Sequence, residues 1–293
     1  MAEPIPKVHG CTLPMMMKFY NKNRYWLIGI IALGLLTYVD YRFFGASQNR
    51  LPVVGYYEYD QAIPLKDSVT VLIDSKTFQL LSITFNSVNN RRVHGLLSLP
   101  KQKTKPIPII ILLHGLGDHK AVDYVEFGND VFVKNGYAVM RIDISEHGER
   151  KQDVYDFDLT GPYKYWSRNI MIQTVFDLRR TVDFLESRNN IDTDRIGYYG
   201  ISLGGIIGTI FCGVDNRVKV PIIALAGGQL NLLYKQHAFS KESKDFVSII
   251  EPINFISDIS PRPLLMLNAK YDEVVPPTTV SYTHLTLPTI YSV

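Results

Sequence analysis

The stretch Gly200-Ile201-Ser202-Leu203-Gly204-Gly205 joins a predicted strand, residues 195–199, to a predicted helix. The helix is indicated by apolar residues that recur at helical spacing, namely Ile206, Ile207, Ile210 and Phe211. A serine in Gly-x-Ser-x-Gly at this junction lies on a sharp turn. The flanking residues are glycines because a β-carbon at either position would crowd the neighbouring strand and helix. The helix N-terminus adds a field that favours negative charge beside the serine. The stretch therefore predicts a nucleophile elbow, with Gly200 and Gly204 as its motif glycines and an ordinary glycine-rich turn as the alternative.

A second motif follows an apolar run at residues 107–113. The run is long and does not alternate, which is typical of a parallel strand buried on both faces. It ends in His114-Gly115-Leu116-Gly117, and a His-Gly-x-Gly loop in this position supplies a donor to an oxyanion hole. The candidate donors are the amides of Leu116 and Leu203. We expect Gly115 and Gly117 to shape the loop and His114 to orient it, since His114 precedes the serine on another strand.

A carboxylate follows a third apolar run, residues 263–268. Asp272 lies a few residues beyond that run and precedes an apolar pair and a proline. Asp272 is the candidate carboxylate for orienting a catalytic base, a role that its position and the order Ser202 then Asp272 imply through the family that the three motifs resemble. Glu273 is the competing candidate, and a loop aspartate in an Asx turn is the structural alternative.

Together these motifs resemble the α/β-hydrolase superfamily. The likeness is strongest to its esterase branches related to dienelactone hydrolases, acetyl-xylan esterases and prolyl-oligopeptidase-like catalytic domains. Asp143 followed by Glu146-His147-Gly148-Glu149-Arg150 adds to it, and the resemblance covers roughly residues 78–279. It implies an α/β fold with a doubly wound, mostly parallel sheet. It also implies a Ser-Asp-His triad that needs no cofactor and no metal.

The histidine of that triad is missing at its expected place. In the superfamily it follows the aspartate on a loop beyond a final strand, and His284 is the one histidine after Asp272. His284 is too close to Asp272 to leave room for a strand, although it remains the alternative base. Residues 280–293 resemble a translated sequencing-library adapter. We therefore expect a non-native tail there, a C-terminally truncated hydrolase domain and an inactive fragment.

Composition excludes several other classes of function. The net charge of +3 and the pI of about 8.6 are too small to indicate nucleic-acid binding. The sequence has no zinc-ligand spacing, no P-loop and no dinucleotide fingerprint. The two cysteines, Cys11 and Cys212, do not decide the redox compartment.

The N-terminus is predicted to form a separate module. Residues 26–39 are uncharged and nearly all apolar, aromatic residues extend the segment to 25–44, and cations at Lys18, Lys22 and Arg24 precede it. They favour a membrane anchor with the hydrolase outside the cytoplasm. A cleaved signal, giving a secreted or periplasmic enzyme, and a buried helix are the alternatives. The predicted division is thus a cytoplasmic tail (1–24), an anchor or signal (25–44), a connector (45–77), the hydrolase domain (78–279) and the tail (280–293).

The remaining segments predict an alternation of strands and helices. We expect antiparallel strands at 78–85 and 93–99 with a turn at Asn89-Asn90, helices at 121–134 and 173–188, and a strand at 221–226. Residues 229–259 are expected to form a lid-like insertion or a helical cap. The predicted function is hydrolysis of a small-molecule ester. A serine peptidase of prolyl-oligopeptidase type and a non-catalytic protein of the same fold are the alternatives.

Overall fold

A computed structural model describes residues 53–101, 106–152, 156–230, 245–275 and 279. Its described part contains an eight-stranded mixed sheet in the order β1-β2-β3-β5-β4-β6-β7-β8. The strands are β1 Ser68–Asp74, β2 Phe78–Asn86, β3 Arg92–Pro100, β4 Ile107–Leu113, β5 Ala138–Ile142, β6 Ile191–Ile201, β7 Val218–Ala224 and β8 Leu265–Leu267. The helices next to the sheet are α1 Asp123–Lys134, α2 Lys164–Glu186 and α3 Leu203–Val214.

The sheet changes direction at β5. The strand pairs β1–β2, β2–β3 and β3–β5 are antiparallel. The pairs β5–β4, β4–β6, β6–β7 and β7–β8 are parallel. Since parallel strands end at the same edge, the loops after β4, β6, β7 and β8 meet there. This confirms the predicted sheet and places both glycine motifs at one edge.

Strand β4 is buried on both faces, as its unalternating sequence predicts. Ile109 and Ile111 pack in the core that contains α2 and α3. Ile110 and Leu112 pack on the opposite side with Val125 of α1. Helices therefore cover both faces of the sheet, which is the doubly wound arrangement.

The hairpin between β2 and β3 is also as predicted. Asn89 and Asn90 have φ angles of 60° and 55°, and the strands pair in register from Phe78 with Pro100 to Asn86 with Arg92. Two consecutive residues with positive φ form the turn whose twist matches the flanking strands.

In three segments, the structure adds to or changes the prediction. The segment predicted as a connector contributes β1, so the sheet begins at Ser68 rather than near residue 78. Helix α2 begins at Lys164, nine residues before the predicted start. Residues 245–259 of the predicted lid contain short 3-10 helices, at Ser248–Ile250, Pro252–Asn254 and Ile256–Ile259.

The two terminal predictions fall on residues that the structure does not describe. The predicted membrane segment 25–44 and the tail 280–293 lie outside the described residues, as does His284. Within the described ranges, no helix has the length and apolar character needed to span a bilayer.

Candidate active site

Ser202 lies on a strained turn between β6 and α3. Its φ and ψ angles are 53° and −118°, a region that residues with side chains rarely adopt. The surroundings hold it there, because its N–H donates to the Ala224 carbonyl at 2.9 Å and its carbonyl accepts from Ile206 N–H at 3.0 Å. The turn places Ser202 at the N-terminus of α3, where the helix field favours negative charge.

The motif glycines of the elbow are sterically required. A β-carbon on Gly204 would lie 2.5 Å from the His114 carbonyl oxygen and 2.6 Å from that of Leu113. A β-carbon on Gly200 would overlap the Gly204 carbonyl. These contacts are with backbone atoms that cannot move aside, which confirms the crowding predicted from the sequence.

The loop after β4 lies directly against the elbow. A β-carbon built on Gly115 would be 3.5 Å from the Ser202 Cβ. Gly117 has a φ of +81°, a value that favours glycine. In the described part of the chain, neither Leu116 N–H nor Leu203 N–H has a hydrogen-bond acceptor. The Leu203 amide belongs to the first turn of α3, where backbone donors lack an intrahelical partner.

Two residues that the sequence analysis missed hold this loop in place. The Tyr124 hydroxyl accepts from Gly115 N–H at 2.8 Å and donates to Asp118 Oδ2 at 2.7 Å. Burial raises the Tyr124 pKa above its usual range, so the hydroxyl keeps its proton. No motif signals this contact, because it joins α1 to the loop. It occupies the Gly115 amide, so the Leu116 amide is the donor of this loop that has no acceptor within the described ranges.

His114 orients the loop and is not placed as a base. Its ring is fully buried, and Nε2 accepts from Ile144 N–H at 3.0 Å. That bond leaves the proton on Nδ1, which lies 2.7 Å from the Gly115 carbonyl oxygen. Burial lowers the His114 pKa to about 4, consistent with this neutral form. Both ring nitrogens are therefore engaged.

Asp272 lies on the loop after β8 and is half-buried. Its Oδ1 accepts from Val274 N–H at 2.9 Å and from Val275 N–H at 2.8 Å, as in an Asx turn. Its Oδ2 has no hydrogen bond within the described ranges. The competing candidate, Glu273, is exposed. The turn thus uses one carboxylate oxygen of Asp272 and leaves the other for a further donor.

A cavity of about 870 Å³ opens beside Ser202. Its lining is mainly apolar and includes Leu116, Tyr124, Tyr199, Ile201, Leu225, Leu267 and Val274. Leu225 has a φ of 50°, a second strained residue at this wall. The structure brings Ser202, Gly115 and Leu116 together here, whereas Asp272 does not line the cavity and only its loop does. Among the described residues, no group of three or more His, Cys, Asp and Glu could hold a metal ion.

Comparison with known proteins identifies the family. Residues 63–225, more than half of the chain, match the family model described as acetyl xylan esterase (AXE1). The chain belongs to the acetyl xylan esterase (AXE1) family. This confirms the esterase branch of the α/β hydrolases that the motifs resemble.

Relatives and solved structures agree with that assignment. YtaP of Bacillus subtilis (strain 168) is 24% identical over 213 residues, which cover 66% of this chain and 70% of YtaP. The acetyl xylan esterase from Paenibacillus sp. R4 has a TM-score of 0.67 and 20% identity, covering 84% of this chain and 85% of its own.

Acetyl xylan esterase 1 from Thermoanaerobacterium sp. JW/SL YS485 has a TM-score of 0.63 and 17% identity, covering 82% of this chain and 85% of its own. At these identities the structural matches establish the fold. Together with the family model, they support a carboxylic-ester hydrolase of the α/β-hydrolase superfamily.

Proposed function

We propose that this protein hydrolyses short-chain carboxylic esters with Ser202 as the nucleophile. The single observation that carries the proposal is the strained Ser202 at the edge of a mainly apolar cavity, together with the Leu116 and Leu203 amides, which have no acceptor among the described residues. Such an arrangement suits acyl transfer, because the developing oxyanion needs donors that are already in place.

Asp272 is proposed to orient the histidine that acts as the base. The Oδ2 atom of Asp272 is available for this role, since Oδ1 serves the Asx turn. His114 has both ring nitrogens engaged, and His147 is buried with Nδ1 3.0 Å from the Ser145 carbonyl oxygen. The other two histidines in the described ranges are His94 and His119, and none of the four lines the Ser202 cavity. We therefore propose that the base lies outside the described residues. The location of this domain outside the cytoplasm stays a prediction.

The reaction follows from these roles. The histidine takes the proton of the Ser202 hydroxyl as its oxygen attacks the ester carbonyl, and the Leu116 and Leu203 amides stabilise the tetrahedral oxyanion. Collapse of this intermediate releases the alcohol, which receives the proton, and leaves an acyl group on Ser202. Water then attacks the acyl group with the same histidine as base, and the acid leaves.

The substrate is proposed to be a small acyl ester, with acetyl as the first candidate. The support is the family match, together with the acetyl xylan esterases among the structural neighbours. The alternative of a prolyl-oligopeptidase-type peptidase has no comparable support. A panel of p-nitrophenyl esters of increasing chain length, set against aminoacyl-proline amides, would separate the two activities.

Replacing Ser202 tests the proposal. In the full-length gene product, we expect Ser202→Ala to lower hydrolysis of p-nitrophenyl acetate on the order of 10⁴-fold, as in other triads that lose the nucleophile. Labelling by a fluorophosphonate probe should disappear with it. Ser248→Ala is the matched control, because this hydroxyl donates only to the Asp245 carbonyl. Hydrolysis and labelling that persist in Ser202→Ala would refute the assignment.

The same assay addresses the base. In the 293-residue chain, we expect hydrolysis of p-nitrophenyl acetate to be the same with and without His284→Ala, because His284 follows Asp272 too closely for an intervening strand. Loss of activity in His284→Ala, with the protein still folded, would instead identify His284 as the base.

A further inference from the structure

A second cavity of about 500 Å³ lies beside the hairpin turn between β2 and β3. It is bounded by that turn, the loop after β5 and the first half of α2. Strand β3 is antiparallel to β5, so the turn and the loop meet at the same edge of the sheet as Ser202. None of its lining residues in the described part of the chain lines the Ser202 cavity. The chemistry assigned to Ser202 leaves this second cavity unexplained.

Glu146 is the unusual residue of the second cavity. Its side chain is only 7% exposed, and Oε1 lies 3.4 Å from the Arg91 guanidinium. The other oxygen, Oε2, is buried and has no hydrogen-bond partner in the described part of the structure. Glu146 also has a φ of 58°, which is costly for a residue with a long side chain. A buried carboxylate oxygen without a donor is a substantial penalty, which a bound donor group would remove.

The other polar groups of the cavity call for a ligand that both donates and accepts. The Asn89 amide donates to Gln173 Oε1 at 3.0 Å, which leaves its carbonyl oxygen for a donor. The Arg91 guanidinium, whose side chain is about half exposed, supplies donors to an acceptor. Asn169 stands at the exposed rim with an amide that offers both. Hydroxyl groups satisfy all of these partners at once.

The charged groups and the aromatic rings of the cavity further restrict the class of ligand that it can bind. Glu146 and Arg91 give the cavity one negative and one positive group, so Glu146 repels phosphate and Arg91 repels an ammonium ion. The rings of Tyr56 and Trp166 also line the cavity. Aromatic rings offer an apolar surface to C–H groups, which a sugar ring presents on its face beside its hydroxyls.

We propose that the second cavity is a binding site for a neutral carbohydrate ring, in which Glu146 Oε2 accepts a hydroxyl hydrogen bond. The site is separate from Ser202 and binds without turnover. A glycan chain and a free glycoside present the same ring, so both fit it.

Binding is measured in a Ser202→Ala background, so that catalysis plays no part. The probes are methyl β-D-xylopyranoside and methyl α-D-glucopyranoside, observed by saturation-transfer NMR, with choline chloride and sodium phosphate for comparison. We expect at least one glycoside to bind and neither ion to bind. Glu146→Gln should weaken glycoside binding about tenfold or more, because the lost bond involves a charged acceptor.

Asp194→Asn is the matched control. Asp194 is exposed near the beginning of β6, at the opposite end of the strand from Ser202, and its replacement also removes one carboxylate charge. We expect its glycoside binding to equal that of the parent, and the melting temperature of Glu146→Gln to be unchanged or higher. A cavity that holds water alone would bind neither glycoside at 100 mM. That result, equal binding in parent and Glu146→Gln, or binding of choline or phosphate in place of glycoside would overturn the proposal.

Discussion

Ser202 shows how a strained residue is kept in place by its neighbours. A φ of 53° costs a non-glycine residue on the order of 1–3 kcal/mol. The bond from Ser202 N–H to Ala224 and the close packing of Gly200 and Gly204 hold the turn against that cost. The glycine pattern predicts this geometry from the sequence, because only glycine allows the backbone of the elbow to approach its neighbours so closely. Ser202 was therefore predictable from its flanking residues.

Replacing Gly204 by alanine should destabilise the folded elbow. The added β-carbon would meet the carbonyl oxygens of His114 and Leu113 at 2.5 Å and 2.6 Å. We expect the free energy of unfolding, measured by urea titration, to fall by about 3 kcal/mol. Gly55→Ala is the control, since nothing lies within 4 Å of its added β-carbon. Equal midpoints for the two variants would show that the elbow accommodates the methyl group.

Tyr124 should act on catalysis by positioning the Gly115 loop. Tyr124→Phe removes the acceptor of Gly115 N–H and the donor to Asp118. We expect kcat for p-nitrophenyl acetate to fall about tenfold, with KM little changed, because the oxyanion donors serve the transition state. Tyr137→Phe is the control, since its exposed hydroxyl has no hydrogen-bond partner in the described ranges. A rise in KM at constant kcat would indicate instead that Tyr124 contacts the substrate.

Helix α3 is held at its C-terminal end by Arg262. The guanidinium donates to five backbone carbonyls, those of Cys212, Asp215, Val218, Asp258 and Ile259. It thereby joins the end of α3, the start of β7 and a 3-10 helix. These bonds use all five N–H donors of the arginine fork, which an ammonium group with three donors cannot reproduce.

Arg262→Lys should therefore destabilise the protein although it keeps the charge. We expect the free energy of unfolding to fall by about 2 kcal/mol, because several buried carbonyls lose their donors. Arg195→Lys serves as the control, since Arg195 is exposed and pairs with the neighbouring Asp192. If the two substitutions cost the same, the fork geometry has no special value at Arg262.

The helices and strands with a clear pattern of apolar residues were predictable from the sequence, and those without one were missed. Strand β4 was identified because its apolar run is long and does not alternate, and helix α3 because its apolar residues recur at helical spacing. Strand β1 was missed because every residue in it is exposed, so it has no buried face to mark it. The first half of α2 was missed because that helix is buried on most sides, which blurs its 3.6-residue period.

At the scale of the whole molecule, the parts of the site that escaped prediction depend on distant contacts. Tyr124 with Gly115 and Glu146 with Arg91 join segments whose pairing only the fold decides. The sequence carries the local geometry of the elbow and the oxyanion loop, but it has no signal for these pairs. The second cavity likewise exists only once α2 packs beside the β2–β3 turn.

Two buried groups give the stability of the molecule opposing dependences on pH. Burial raises the Glu251 pKa from 4.5 to about 7, so the folded chain holds more protons than the unfolded chain between those values. This contribution to stability is lost as the pH rises from 4.5 to 7. Burial lowers the His114 pKa from 6.5 to about 4, and that contribution is lost as the pH falls from 6.5 to 4.

Glu251→Gln separates the two contributions. The wild-type free energy of unfolding, minus that of Glu251→Gln, should fall as the pH rises from 4.5 to 7, by at most about 3 kcal/mol. Above pH 7 the difference should be flat. The measurement is urea unfolding at half-unit pH intervals, in which the His114 contribution cancels. A difference that does not change between pH 4.5 and 7 would mean that Glu251 ionises normally.

Because Cys212 is buried, the rate at which its thiol reacts reports how often helix α3 opens. The thiol is fully buried within α3, ten residues after Ser202, and burial raises its pKa well above the usual range. A disulfide reagent can therefore reach a reactive thiolate only when the helix behind the elbow opens. With Cys11 replaced by serine, the labelling rate of Cys212 would time that opening without any substrate, ligand or catalytic base.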